Sequence, residues 1–382
     1  MRIEFVNNRQ VITGEGVISE LGAAVKRLNA TKVFLAVFMP GADCVKAAIK
    51  SLEEAEVPYV IYDKVVSEPD VEMIDNGTAL CKEEGCDCVV AIGGGSVIDT
   101  AKAVALMAAH EGSVEEYQLA KKTFTEKPLP FVSIPTTAGT GAEATKVSVI
   151  LNKRLQWKKS IYSNDVISQI VLLDPTTTIG LPARATASTG MDAITHAIES
   201  YISLNANTFS KMYSLYSLKL LYENIELACK EPTNMKAREN MLVGSYFAGC
   251  AISAGTCLAH QAGQPVGAMY HISHGDACSI LLMPSLKINM DYCMDGYKDI
   301  APVMGIDIAG MTDMEIVEAM EASLYALCER IGAPTKLTQF VKEEDVDMEK
   351  LLDNIKDSMG HLKNNPRPVS REVFEALIRA AF

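Results

Sequence analysis

Cys88-Val89-Val90-Ala91-Ile92-Gly93-Gly94-Gly95-Ser96-Val97-Ile98-Asp99-Thr100-Ala101-Lys102 is the stretch on which the fold turns. Cys88 to Ile92 is apolar without polar alternation, the pattern of a strand buried on both faces, and Val97 to Leu106 reads as a helix. Three glycines between them let the main chain approach a ligand with no Cβ in the way, and the helix start offers free N–H groups to an anion such as a pyrophosphate. The turn differs from both G-x-G-x-x-G and the Walker lysine loop. Two readings of its polar residues stay open. Ser96 and Asp99 have the spacing of a capping box, or they belong with the glycines to a ligand-binding turn.

Outward from this turn, Lys32–Phe38, Tyr59–Asp63 and Phe131–Ile134 repeat the short apolar pattern, while Ala42–Glu56 and Val71–Gly85 have helical spacing. Apolar strands alternating with helices predict an α/β, Rossmann-like parallel sheet covered on both sides. A second polar turn, Pro135-Thr136-Thr137-Ala138-Gly139-Thr140-Gly141, follows the last of these strands, where such sheets bind ligands. From about Ser188 the pattern becomes helical, with Ser210–Ala228, Ala237–Ala254, Asp313–Ile331 and Arg371–Ala380 as the clearest segments. Pro175, Gly180 and Pro182 punctuate the changeover, so residues 1–183 are expected to form the α/β domain and 184–382 an all-helical one.

A chain of 382 residues exceeds the usual size of one hydrophobic core, which agrees with two domains. A formal net charge of −13 argues against nucleic acid or an anionic membrane as partner, since either demands a basic face. No apolar run approaches the roughly eighteen residues of a membrane span. The ten cysteines form no regular framework and read as reduced thiols, and no secretory pattern is visible in Met1-Arg2-Ile3-Glu4-Phe5, so a cytoplasmic protein with a small-molecule partner is expected.

Asp192 and His196 lie four apart in Ala187–Ile202, a helical segment, so both side chains leave one face a turn apart. With His260 and His274 they offer one hard oxygen and three imidazoles, a set suited to Fe(II), Zn(II) or Mn(II) rather than calcium. Singly, each has an ordinary reading: an exposed i,i+4 ion pair for the first two, a hydrogen-bonded histidine for His260, a turn residue for His274.

Together, Gly93–Lys102, Pro135–Thr140, Gly190-Met191-Asp192-Ala193-Ile194-Thr195-His196-Ala197-Ile198-Glu199 and Ser273-His274-Gly275 resemble the iron-containing (group III) alcohol dehydrogenase family in order and separation over nearly the whole chain. The resemblance implies an N-terminal NAD(P)-binding domain, a C-terminal helical metal domain, and an active site in the cleft between them. It puts Asp192, His196, His260 and His274 on metal positions, with Fe2+ as the ion and Zn2+ as an alternative. It puts Gly94, Gly95, Ser96 and Asp99 on the pyrophosphate turn, Thr136, Thr137 and Thr140 on a nicotinamide and phosphate loop, and Lys158 on a cofactor contact. A homodimer or higher homo-oligomer is a further family expectation.

Three departures qualify the resemblance. Phe38 ends the first strand where NAD-preferring members often carry an Asp, so no carboxylate repels a 2′-phosphate and the choice between NAD and NADP stays open. Gln264 stands where many members have another His. Ala248–Gly255 reads one residue short, with Ile252 where an aromatic often lines the substrate pocket. The implied chemistry is reversible oxidation of a small alcohol to an aldehyde or ketone, the metal acting as Lewis acid. Gln264 cannot titrate, which makes His271, three residues before His274, the candidate proton relay or else a plain pocket-lining residue. The rivals are a lyase or cyclase like dehydroquinate synthase, recycling its nicotinamide, and a noncatalytic metal- or nucleotide-binding protein.

Overall fold

The structure, a computed structural model, describes residues 3, 5–65, 68–155, 157–356 and 362–382. It divides into two compact units, one of residues Val6–Thr137 with Gly141–Gly180, the other of Leu181–Phe382 with Ala138–Thr140 and the N-terminal residues through Phe5. Phe5 belongs to the helical unit through its ring, which stacks on Phe209 and Tyr213 at 5.3 and 5.5 Å.

In the first unit the strands are β1 (Gln10–Thr13), β2 (Val33–Val37), β3 (Tyr59–Tyr62), β4 (Cys88–Gly93), β5 (Phe131–Pro135), β6 (Val147–Asn152), β7 (Trp157–Tyr162) and β8 (Ile170–Leu173). The helices are α1 (Leu21–Arg27), α2 (Asp43–Glu54), α3 (Val71–Glu83), α4 (Gly95–Ala108) and α5 (Val114–Gln118). Among the described residues, six strands pair in the order β1-β8-β5-β4-β2-β3, all parallel, as the α/β reading expects. Alternate residues of β2 and β4 serve opposite faces. Val33, Leu35, Cys88 and Val90 pack with Leu21, Val45 and Leu52, while Phe34, Ala36, Val89 and Ala91 pack with Val97, Ala101 and Val104 of α4. Two apolar faces are why these strands read as continuous hydrophobic runs.

The chain runs from β2 outward to β3 and then returns to β4 on the other side of β2. That reversal places a switch point between β2 and β4, and their carboxyl ends carry Phe38 and Gly93–Ser96. Ligands of open α/β sheets bind outside such a point.

The antiparallel pair β6–β7 is an addition that the sequence reading did not anticipate, and it changes the reading of Asp99. Helix α4 starts at Gly95 with Gly94 as N-cap and no side-chain cap, so Ser96 and Asp99 do not form the capping box their spacing suggests. Asp99 lies more than a turn inside the helix, and its carboxylate accepts from Val149 N at 2.9 Å and Lys102 Nζ at 3.4 Å. Lys102, fully buried, also donates to Thr145 Oγ1 and Val147 O at 2.9 and 2.7 Å, tying α4 to β6.

The second unit is helical: α6 (Ala183–Ile202), α7 (Thr208–Lys230), α8 (Met235–Ala251), α9 (Leu258–Tyr270), α10 (His274–Val303), α11 (Asp313–Ile331), α12 (Met348–Lys356) and α13 (Arg371–Ala380). α10 is broken at Cys293, whose φ of −143° is not helical. The bounds of α11 and α13 coincide with the sequence reading, whereas α9 and α10 were not foreseen. No single helix among the described residues is long and apolar enough to cross a membrane.

Candidate metal centre

α6 carries Arg184, Ser188, Asp192 and His196 at four-residue spacing, a stripe on one face, with Glu199 one turn further. The start of α10 lies against this stripe. Arg184 forks onto Asp276 through two bonds of 2.8 and 2.5 Å, and the Oγ atoms of Ser188 and Ser273 are 3.0 Å apart. A Cβ built on Gly275 would lie 2.2 Å from the backbone oxygen of Ser188, so only glycine permits this approach. His274, treated as a turn residue in its ordinary reading, is instead the first residue of α10, and Ser273 Oγ caps that helix by accepting from Asp276 N at 3.4 Å. The capping spacing of Ser273 and Asp276 is the signal that sequence reading passed over.

His260 is the third residue of α9, and its Nδ1 lies 2.6 Å from Glu199 Oε2. Glu199 is buried and also accepts from Cys257 N and Ala259 N at 2.9 and 2.6 Å. A carboxylate cannot donate, so the Nδ1 proton belongs to His260, and Nε2 is the nitrogen whose lone pair a metal would take.

That nitrogen faces other candidate ligands. His260 Nε2 and His274 Nε2 lie 3.4 and 3.7 Å from Asp192 Oδ1. His196 stacks on His260 with ring centroids 4.3 Å apart. Donor atoms of Asp192, His260, His274 and Cys278 all fall within 4.8 Å of one another, and His196 is not a member of that group. The expectation of four ligands therefore meets three in one cluster, with the fourth stacked beside it.

The donor set fits a transition metal. Among the described residues the buried Asp192 Oδ1, His196 Nδ1 and His260 Nε2 make no hydrogen bond within 3.5 Å of good geometry, and buried polar atoms left so are costly unless a cation satisfies them. Ion-to-ligand bonds of about 2.0–2.3 Å set neighbouring donors about 3.3–3.7 Å apart at tetrahedral angles, the range in which the Asp192–imidazole distances lie. Burial would raise the Asp192 carboxyl, but His196, His274 and His260 outweigh it and hold the group well below the usual carboxylate range. Burial brings His196 down to about 3, so its imidazole stays neutral and able to ligate. For Cys278, burial pushes the thiol up, and His260 and His274 together pull it below its ordinary value.

The remaining expected residues separate between the units. Gly94, Gly95 and Ser96 open α4, and a Cβ on Gly94 would sit 3.2 Å from Thr137 Cγ2, so the two polar turns adjoin. Thr136 is buried after β5, whereas Thr140 belongs to the short piece that joins the helical unit. Lys158 is on β7, its Nζ 2.5 Å from Glu68 Oε1. Phe38 follows β2 and is 39% exposed. His271 ends α9 in a left-handed conformation, φ 55°, with its side chain exposed, and Gln264 is exposed on the same helix. Glu199 and Cys278 were not assigned roles from sequence. Each had a signal, Glu199 at i+3 from His196 and Cys278 at i+4 from His274, on the face its helix gives to the site.

Comparison with known proteins identifies the family. Residues 8–175 match the family model of the iron-containing alcohol dehydrogenases, and residues 186–382 match that of the Fe-containing alcohol dehydrogenase family, C-terminal. A 1,3-propanediol dehydrogenase of Klebsiella pneumoniae is 33% identical over 377 residues, covering 97% of this chain and 96% of that protein. An NAD-dependent methanol dehydrogenase of Bacillus methanolicus is 31% identical over 343 residues, covering 88% and 89%. The crystal structure of a 1,3-propanediol oxidoreductase, 30% identical, superposes with a TM-score of 0.95 over 100% of both chains. Matched in both halves and over its whole length, the chain belongs to the iron-containing alcohol dehydrogenase family.

Proposed function

We propose that the protein interconverts a small alcohol and its aldehyde or ketone, with Asp192, His196, His260 and His274 holding one Fe(II) ion and NAD as the hydride carrier. The observation that carries this reading is the gathering of donor atoms of Asp192, His260 and His274, from three helices, within 4.8 Å of one another, with the His196 ring stacked on His260. When bound, iron supplies Lewis acidity that lowers the pKa of an alcohol hydroxyl, and NAD supplies the hydride acceptor.

The chain's own residues prepare that chemistry. Asp192 stays ionised and provides the negative charge of the site. Glu199 accepts a hydrogen bond from the His260 Nδ1 proton, fixing the ring with Nε2 toward Asp192, where an ion would be held. Asp192, His196 and His260 are buried, which keeps bulk water from them, while His274 is 43% exposed and marks the accessible side. His271, exposed and three residues away, takes the released proton on a ring nitrogen and passes it to solvent. Gly94, Gly95 and Ser96 receive the pyrophosphate on the free N–H groups of α4, beside Thr136 and Thr137.

NAD is placed first because the methanol dehydrogenase relative is NAD-dependent and a solved sulfoacetaldehyde reductase, 27% identical with a TM-score of 0.90, is in complex with NAD+. Phe38 leaves NADP unopposed. Propanediol and methanol dehydrogenases among the relatives support a short alcohol substrate. The lyase or cyclase alternative finds no support among them. Ten free cysteines support a reducing, cytoplasmic setting, and a homo-oligomer is retained from the family resemblance.

The test is turnover of protein loaded anaerobically with Fe(II), across short alcohols and their aldehydes with both NAD(H) and NADP(H). Metal-dependent formation of NADH from at least one alcohol is expected. No hydride transfer across the panel refutes the reading.

A further inference from the structure

Cys278 is a buried thiol one turn after His274 on α10, and none of the four expected metal ligands accounts for its place. Its Sγ lies 3.6 Å from His274 Nε2 and joins Asp192, His260 and His274 in the group of donor atoms within 4.8 Å. The facing helix α9 makes room for it. A Cβ on Gly263 would stand 2.8 Å from that sulfur, so a side chain at 263 would compete with the thiol for its position. Among the described residues two members of the same cluster, Asp192 Oδ1 and His260 Nε2, are buried 3.4 Å apart and make no hydrogen bond, which points to the space between them and the sulfur for a cation.

We propose that Cys278 Sγ is a further donor to the metal, bound as the thiolate after its proton has left to solvent. The inference rests on the metal site proposed above and deepens it. The 3.6 Å from Cys278 Sγ to His274 Nε2 is the separation that a metal–sulfur bond of about 2.3 Å and a metal–nitrogen bond of about 2.0 Å give at a tetrahedral angle. A soft ligand among imidazoles and one carboxylate changes the metal preference, because thiolate favours zinc over the hard-ligand chemistry that suits iron(II). The centre is therefore built to retain zinc more tightly than one with only Asp192 and three imidazoles.

Cobalt(II) is the probe, added anaerobically to the metal-free full chain. Its ligand-field bands report binding, and a sulfur-to-cobalt charge-transfer band in the near ultraviolet reports thiolate ligation. The wild-type protein is expected to show both. Cys278→Ser should keep the ligand-field bands, lose the charge-transfer band, and fall at least about tenfold in zinc affinity in a chelator competition. Cobalt bound without a charge-transfer band in the wild type overturns this inference alone, as does a band that survives unchanged in Cys278→Ser. Failure to bind cobalt at all overturns both this inference and the metal site on which it rests. If Cys278→Ser does not fold, Cys278→Ala replaces it in the same comparison, and a wild-type spectrum without the band still overturns the inference.

Discussion

Replacing Glu199 by Gln exchanges one carboxylate oxygen for an amide nitrogen and alters almost none of the volume. The carboxylate accepts from four N–H groups: Cys257 N at 2.9 Å, Ala259 N at 2.6 Å, His260 N at 3.4 Å and His260 Nδ1 at 2.6 Å. An amide has one acceptor oxygen and one donor nitrogen. With that nitrogen toward Ala259, the substituted side chain opposes donor to donor there and leaves a buried N–H unpaired, at about 1–3 kcal/mol of stability. With its nitrogen the other way, it opposes Cys257 and forces His260 to carry its proton on Nε2, the atom needed for the metal. Either way the negative charge behind the imidazole is gone, and loss of such a partner costs about 10–100-fold in metal affinity, equivalent to about 1.4–2.7 kcal/mol. Zinc or cobalt affinity, measured by competition with a chromophoric chelator on metal-free protein, checks this. An E199Q protein that binds metal within about twofold of wild type refutes the argument that Glu199 fixes His260.

Three further outcomes are expected elsewhere in the chain. Gly275→Ala places a Cβ against Ser188 O, so α6 and α10 must part; thermal denaturation should show a loss of about 1–3 kcal/mol, and an unchanged melting temperature contradicts the close approach. Glu143 is buried with Oε1 unpartnered among the described residues, and burial pushes its carboxyl from 4.5 up to about 7. Its folded-state pKa is the higher one, so its contribution is fully present below about pH 4.5 and is lost as pH rises through about 7; Glu143→Gln should therefore match wild type near pH 4.5 and exceed it by about 3 kcal/mol at pH 8 in urea denaturation, and a constant difference across that range contradicts it. His271→Phe should lower turnover by about 10²-fold and alter its pH profile, and a profile left unaltered removes His271 from the proton path.

How much was legible depended on whether a residue's partners were near it in sequence. β2, β4 and β5 were readable because two apolar faces produce continuous hydrophobic runs, and the Gly93–Ser96 turn was readable because nothing else explains consecutive glycines. β1 was not, since it is an edge strand with Val11 exposed and gains its identity only by pairing with β8. The capping-box reading of Ser96 and Asp99 failed because Asp99 is claimed by Val149 and Lys102, and Val149 is fifty residues away. At the metal centre, Asp192 and His196 were legible as an i,i+4 pair. Glu199 needed the fold, because its partner is a histidine sixty-one residues later. Cys278 carried no message in a sequence of scattered cysteines until α9 and α10 brought it beside His260.

We propose above that one divalent metal is held on the helical unit by Asp192, His196, His260 and His274. Anomalous scattering from crystals of iron-loaded protein, collected on either side of the iron absorption edge, tests it most directly. A single strong peak is expected, bonded to Asp192 Oδ1 and His260 Nε2, with His196 and His274 also bonded to it. A peak elsewhere in the chain, or none in protein shown to carry one iron per chain, contradicts it.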